Sequence, residues 1–162
     1  MGESAGGNLA AVACLIARER GGPPVSHQAL IYPVVDMTGK DKDNAAAGPS
    51  TPFLSAAEMA AYDRLYLGPD GDGSNPWASP LLAAGHAGLP PALVQVAEHD
   101  PLRDSGKRYA AALRAAGVPV RLTEYVGMTH GFVNFPGLTG GARQALAEVC
   151  AEQAAALTQA AA

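Results

Sequence analysis

The hydrophobic and polar positions of the chain follow two different periods, which predict helices and buried strands in alternation. Apolar side chains recur at helical spacing in four segments, and we predict a helix in each: 4–20, 55–67, 104–116 and 140–159. One short, nearly continuous apolar run, 29–35, predicts a strand that is buried on both faces, and 92–97 and 118–126 are two further predicted strands. Strands that alternate with helices indicate an α/β fold in which helices flank a parallel sheet.

The second predicted helix carries the clearest start signal in the chain. Ser55 is followed three residues later by Glu58, which is the spacing of a capping box. The segment before it, 37–52, is polar or small and contains proline and glycine, so it predicts a loop. We expect four apolar side chains to form the buried side of this helix: Met59, Tyr62, Leu65 and Tyr66.

The composition is that of a globular domain, with 162 residues of which 48% are apolar and 16% are charged. The net charge of −4 and the lack of a basic cluster argue against nucleic acid and anionic membrane surfaces as partners. Since no apolar run reaches about 18 residues, we expect no membrane span and, without a signal peptide, a cytoplasmic location. Cys14 and Cys150 have neither ligand nor disulfide spacing, and we expect both to be buried helix residues.

The first residues of the chain contain a candidate nucleophile. Gly2 to Gly6 follow the pattern G-x-S-x-G, and a predicted helix starts directly after the serine, Ser4. The glycines allow the strained backbone and the close helix–strand packing that such a turn needs. The alternative is that Ser4 is an ordinary helix N-cap.

A serine nucleophile needs a base, and four histidines are candidates. His27 and His86 lie in predicted loops, where we expect solvated side chains. His99 and His130 follow the second and third predicted strands. Functional groups of open α/β sheets gather at the carboxyl ends of strands, which favours His99 and His130.

An acid is also needed to orient the histidine. Asp36 follows the first predicted strand and Asp100 the second, while we expect Asp104 to be a cap or a surface charge. The order serine, acid, histidine along an α/β-hydrolase chain favours Ser4, Asp100 and His130. Asp36 remains the alternative acid, and helix capping remains the alternative role of Asp100.

Six stretches, in this order along the chain, resemble the hormone-sensitive-lipase-like carboxylesterases of the α/β-hydrolase superfamily: 2–10, 32–36, 78–81, 89–94, 100–104 and 130–132. The resemblance implies that residues 1–162 are the C-terminal portion of a single α/β-hydrolase domain. The strand that leads into the serine turn, the His-Gly-Gly-Gly-type loop and the N-terminal cap helices of the family would then lie before Met1. We therefore expect the strand at 29–35 to become an exposed edge.

The same resemblance implies a serine carboxylesterase that hydrolyses small, short-chain carboxylic esters through an acyl-serine intermediate. Ser4 would be the nucleophile, Asp100 the acid and His130 the base, with the backbone N–H of Ala5 as one oxyanion donor. No metal or organic cofactor is implied, and a homodimer through the region of the last strand is expected. The alternatives are a non-catalytic small-molecule-binding relative and an inactive fragment of a longer esterase.

Overall fold

The computed structural model describes residues 1–41 and 53–160. Four strands lie in these ranges: β1 (Gly2–Glu3), β2 (Gln28–Ile31), β3 (Ala92–His99) and β4 (Val120–Thr129). The helices of the same ranges are α1 (Ala5–Glu19), α2 (Ala56–Leu67), α3 (Arg103–Ala115) and α4 (Gly140–Ala160), with short 3-10 turns at Pro80–Leu82 and Phe132–Asn134. The predicted loop at 37–52 lies outside the described residues from position 42 onwards.

The strands form one parallel sheet in the order β1-β2-β3-β4, which confirms the predicted α/β class. Two hydrophobic clusters hold the helices on it, because a parallel strand is apolar on both faces. One cluster joins the sheet to α1 and α3 through side chains that include Leu15, Leu30, Val94, Val96, Tyr109 and Leu113. The other joins the opposite face to α4 and includes Ile31, Leu93, Ala97, Phe132, Ala145 and Val149.

The strand predicted at 29–35 is shorter than expected and is not an edge. β2 ends at Ile31 because Tyr32 has a positive φ of 34° and Pro33 has no N–H to donate. β1 pairs with β2 in parallel, placing Gly2 opposite Leu30. A strand of two residues therefore leads into Ser4 and lies along one side of β2.

Helix α2 begins as predicted but does not bury the predicted side. The capping box is present, with Glu58 N–H donating to Ser55 Oγ at 3.2 Å and Ser55 N–H donating to the Glu58 carboxylate at 2.8 Å. Of the expected apolar side, Met59 is buried, whereas the other three side chains are exposed: Tyr62, Leu65 and Tyr66. Tyr62 and Tyr66 line a cavity in front of this helix, whereas Leu65 does not.

The two cysteines differ in burial. Cys14 on α1 is buried, as expected, and burial raises the pKa of its thiol. Cys150 is exposed, so the expectation that both are buried is wrong for it. Its neighbour Val149 faces the sheet, and the next position on a helix turns away from that face.

Candidate active site

Ser4 occupies a strained turn between β1 and α1. Its backbone has a φ of 52° and a ψ of −119°, a region that residues other than glycine rarely adopt. The turn is fixed by Ser4 N–H, which donates to the Ile31 carbonyl at 2.9 Å, and by Val34 N–H, which donates to the Ser4 carbonyl at 3.2 Å. Within the described residues the Ser4 side chain makes no capping hydrogen bond to α1, so the N-cap alternative is not observed.

Glycines permit the close packing of this turn. A Cβ at Gly2 would collide with the Gly6 carbonyl oxygen, and a Cβ at Gly7 would lie 2.8 Å from Pro33 Cβ. The first turn of α1 therefore sits directly against β1 and against the chain that leaves β2. This contact presents the serine hydroxyl at the carboxyl edge of the sheet.

The structure brings Ser4, His130 and Asp100 together in one hydrogen-bonded line. His130 Nε2 lies 2.9 Å from Ser4 Oγ, and His130 Nδ1 lies 2.8 Å from Asp100 Oδ2. Asp100 follows β3 and His130 follows β4, so both stand at the carboxyl ends of adjacent strands. Both side chains are buried, and Asp100 Oδ1 accepts a hydrogen bond from Leu102 N–H at 2.8 Å. With Nδ1–H donating to Asp100, Nε2 is free to accept the Ser4 proton.

The structure does not bring the other candidates to this line. His99 is 60% exposed and pairs with Glu98 at 3.7 Å. Asp36 accepts hydrogen bonds from Thr38 and from Arg108 Nη2, the latter at 3.1 Å, instead of meeting His130. Asp104, expected as a cap or surface charge, is exposed and pairs with its neighbour on α3.

The expectation of solvated side chains at His27 and His86 is wrong. The loops that carry them pack beneath helices, so both rings are buried. His86 Nε2 lies 2.9 Å from the Pro80 carbonyl oxygen, and its ring meets Tyr109 edge-on. His27 Nδ1 lies 2.9 Å from Gln153 Nε2, and burial lowers the pKa of His27.

A cavity of about 510 Å³ opens in front of Ser4 and His130. Ala5 lines it as the first residue of α1, where a backbone N–H has no acceptor within the helix. Most of the remaining wall is apolar or aromatic and includes Leu9, Val34, Phe53, Leu54, Met59, Tyr62, Tyr66 and Leu102.

Two buried polar side chains that the sequence interpretation left without a role hold the loops around this cavity. Asn8 Nδ2 donates to the carbonyls of Val34, at 2.8 Å, and Ala78, at 2.7 Å. Ser79 Oγ accepts from Met37 N–H at 2.6 Å and donates to a loop carbonyl. Both residues fall in stretches that carry the family resemblance, which was the only available signal, since their partners are distant in sequence.

A pair of buried carboxylates, Asp36 and Asp41, stands at the far wall of the cavity and shares Arg108. Arg108 Nη2 lies 3.1 Å from Asp36 but 3.6 Å from Asp41, which is beyond hydrogen-bond distance. Asp41 is 1% exposed, and burial raises its pKa to about 6. The sequence gives no local signal that Asp36 and Asp41 share a cation, because that cation, Arg108, lies on α3, far along the chain from both.

Within the described ranges, no cluster of three or more His, Cys, Asp or Glu side chains is arranged to hold a metal ion. None of the helices described is both long and apolar enough to cross a bilayer.

Comparison with protein families decides the relationship of the chain. Residues 1–134 match a family model described as alpha/beta hydrolase fold. The chain belongs to this family. The chain is 44% identical over 145 residues to the carboxylic ester hydrolase LipN of Mycobacterium tuberculosis. It is 36% identical over 138 residues to an arylesterase of Saccharolobus solfataricus.

Solved structures agree with this relationship. An esterase of Pyrobaculum calidifontis superimposes on this chain with a TM-score of 0.87 and 42% identity. The match covers 99% of this chain and 52% of that esterase. LipN is matched over 86% of this chain and 38% of its own length, and the arylesterase over 83% and 44%. This chain thus spans about half the length, or less, of these relatives.

Proposed function

We propose that the chain carries the nucleophile, base and acid of a serine carboxylesterase: Ser4, His130 and Asp100. The observation that carries the proposal is the hydrogen-bonded line from Ser4 Oγ through both nitrogens of His130 to Asp100, at the mouth of a cavity. The strained turn at Ser4 supports it, because backbone strain of this kind concentrates at functional sites. Membership in a family with esterase relatives supports the reaction class.

In the proposed reaction Ser4 Oγ attacks the ester carbonyl carbon while its proton passes to His130 Nε2. The negative charge of the tetrahedral intermediate falls on the former carbonyl oxygen, and the N–H of Ala5 donates to it. His130 then protonates the leaving alcohol as the C–O bond breaks, which leaves an acyl-serine. Water attacks the acyl carbon, gives its proton to His130, and the acid leaves as Ser4 regains a proton. Asp100 stabilises the imidazolium in both halves of the reaction.

The proposed substrates are small esters with short acyl chains. The cavity of about 510 Å³ is of the size that takes a small ligand, and most of its wall is apolar or aromatic, which suits a short uncharged acyl chain. Several relatives are named as esterases, among them an ethyl acetate hydrolase of Pseudomonas putida that is 34% identical.

The proposal also extends to location and assembly. Cys14 and Cys150 are unpaired thiols, which suits a reducing cytoplasm, and fractionation of expressing cells would test this location.

β4 pairs with β3, and no other described strand pairs with its outer edge. A second copy joined there would form a homodimer. Sedimentation velocity would test it, and a monomer at all concentrations would contradict it.

The decisive experiment is hydrolysis of 4-nitrophenyl butanoate by the purified chain and its variants. We expect Ser4→Ala and Asp100→Asn to lower kcat/KM by about 10³–10⁴-fold, since each removes one member of the line. Asp104→Asn is the matched control, an exposed carboxylate four residues beyond Asp100 that does not line the cavity, and it should change the rate by less than about threefold. Equal rates for Ser4→Ala and the unmodified chain would refute the proposal, and saturable ester binding without turnover would favour the non-catalytic alternative.

A further inference from the structure

The described chain contains two residues other than glycine with a positive φ, Ser4 at 52° and Tyr32 at 34°. They stand side by side, because Ser4 N–H bonds to the carbonyl of Ile31, the residue just before Tyr32. The strain at Ser4 is explained by the turn that exposes its hydroxyl. The strain at Tyr32 has no such explanation, since a bulky aromatic residue is among the least suited to this backbone region.

The strained backbone of Tyr32 turns its ring onto His130. The ring is 1% exposed, and its centroid lies 4.7 Å from the imidazole centroid with an interplanar angle of 54°. On the other side Phe132 packs against Tyr32 at 5.7 Å, nearly edge-on. Tyr32 N–H donates to the Gln95 carbonyl at 2.7 Å, which fixes the backbone from β3.

We propose that Tyr32 is a positioning residue for His130, an inference that rests on the function proposed above. The hydrogen bonds to Ser4 and Asp100 lie on opposite nitrogens of the imidazole, so they leave the ring able to tilt about the line through these atoms. The Tyr32 ring, with its centroid 4.7 Å from that of the imidazole, opposes this tilt. It thereby holds Nε2 in line with Ser4 Oγ.

The ring of Tyr32 is the active part in this proposal, and its hydroxyl is not. The hydroxyl is buried, and although the Glu3 side chain and the Val133 backbone lie close enough to shift its pKa, neither makes a hydrogen bond of good geometry with it. Burial raises the pKa of Tyr32, and the carboxylates of Glu3 and Asp100 raise it further, so the phenol stays neutral beside His130. Phenylalanine should therefore replace tyrosine without loss of positioning.

The chain offers a matched control in Tyr109. It is also fully buried, its hydroxyl also has no described partner, and its ring also packs on a histidine, His86, at 5.5 Å. Tyr109 does not line the cavity. Loss of the Tyr109 ring should destabilise the fold about as much as loss of the Tyr32 ring, but it should not disturb the hydrogen bonds between Ser4, His130 and Asp100.

The test compares Tyr32→Phe, Tyr32→Leu and Tyr109→Leu in ester hydrolysis. We expect Tyr32→Leu to lower kcat by about 10–100-fold with little change in KM, because a misaligned base affects the reaction more than binding. Tyr32→Phe should stay within about twofold of the unmodified chain, and so should Tyr109→Leu once folding is verified. A folded Tyr32→Leu variant with an unchanged kcat would overturn the proposal.

A second readout does not depend on turnover. The His130 Nδ1 proton, which is deshielded by its hydrogen bond to buried Asp100 and protected there from exchange with water, should give a sharp downfield proton NMR signal in the unmodified chain and in Tyr32→Phe. The signal should broaden or vanish in Tyr32→Leu. If that variant fails to fold, Tyr32→Asn replaces it, since asparagine tolerates a positive φ. An unchanged signal without the ring would refute the positioning role, whereas a chain with this signal but without hydrolysis would refute the proposed function alone.

Discussion

Two carboxylates whose side chains are largely removed from solvent, those of Glu148 and Asp41, occupy opposite kinds of environment. Glu148 on α4 has a side chain that is 8% exposed, and Asp41 beside the cavity is 1% exposed. No hydrogen bond of good geometry reaches the Asp41 carboxylate from the described residues; Ser105 lies close enough to lower its pKa, and Arg108 lies 3.6 Å away. Glu148 accepts short bonds of 2.6 to 2.8 Å from Gln95 Nε2, Thr123 Oγ1, Tyr125 Oη and Arg121 Nε.

The pKa values of the two groups move in opposite directions. Burial raises the pKa of Glu148, but its hydrogen bonds and the charge of Arg121 outweigh burial, so the net pKa is lowered. For Asp41 burial prevails over the lowering effects of Ser105 and Arg108, and the pKa is raised to about 6. Satisfied carboxylates stabilise folds, whereas unsatisfied ones cost stability and concentrate at functional sites. The contrast therefore separates a structural carboxylate from one that borders a binding cavity.

The largest expected effect comes from removing the structural member. Glu148→Ala should lower the free energy of unfolding by about 3 kcal/mol, because buried Gln95 and the other donors lose their acceptor. Urea unfolding at pH 7 measures this difference. The control is Glu152→Ala on the same helix, whose partly exposed carboxylate pairs with Arg121 and should cost less than about 1 kcal/mol. Equal losses of stability in Glu148→Ala and Glu152→Ala would show that Glu148 contributes no more to the fold than an exposed ion pair does.

Removing the cation at the cavity should have the next largest effect. Arg108→Met leaves Asp36 and Asp41 without their shared positive charge, and we expect a loss of about 2 kcal/mol at pH 7. The loss should shrink at pH 5, where Asp41 binds a proton in the folded state. Thermal unfolding of both proteins at the two pH values tests this, and a loss that is independent of pH would contradict it.

Neutralising Asp41 should stabilise the fold. Its pKa of about 6 exceeds the ordinary 3.8, so its contribution is fully present below pH 3.8 and is lost as the pH rises through 6. Asp41→Asn removes this loss, and we expect a gain of about 1 kcal/mol at pH 7.5 relative to pH 4. Urea unfolding across this range measures the difference between variant and unmodified chain. A constant difference would show that Asp41 titrates normally.

The smallest effect is expected at Arg121, the exposed partner of Glu148. The Arg121 side chain is 59% exposed, and exposed ion pairs contribute little even at 2.6 Å. Arg121→Met should cost about 0.5 kcal/mol and should approach zero cost in 1 M NaCl. A cost near that of Glu148→Ala would mean that the ion pair, rather than the neutral donors, holds α4 on the sheet.

How much of this molecule the sequence could predict depends on the distance between interacting residues. The capping box at Ser55 and Glu58 is local, and it was predicted correctly. The strand-end rule and chain order selected Asp100 and His130, and the structure brings both to Ser4, although their catalytic roles stay predictions.

What the sequence could not predict depends on partners far along the chain. The early end of β2 and the orientation of Tyr32 follow from contacts with β1, β3 and His130. The burial of His86 follows from Tyr109 and the Pro80 carbonyl. The environment of Asp41 is set by Arg108, which lies one strand and one helix later. No local pattern encodes these distances.

The hydrogen bond between His130 and Ser4 joins positions that are 126 residues apart. A ribosome that makes this chain releases the serine turn long before the histidine is synthesised. Contacts of such long range close late, because the intervening chain must first lose its freedom. The site therefore cannot exist in any nascent chain that ends before His130. Reactivity of Ser4 toward an active-site-directed phosphonate, followed on stalled nascent chains, would report the moment at which the sheet closes.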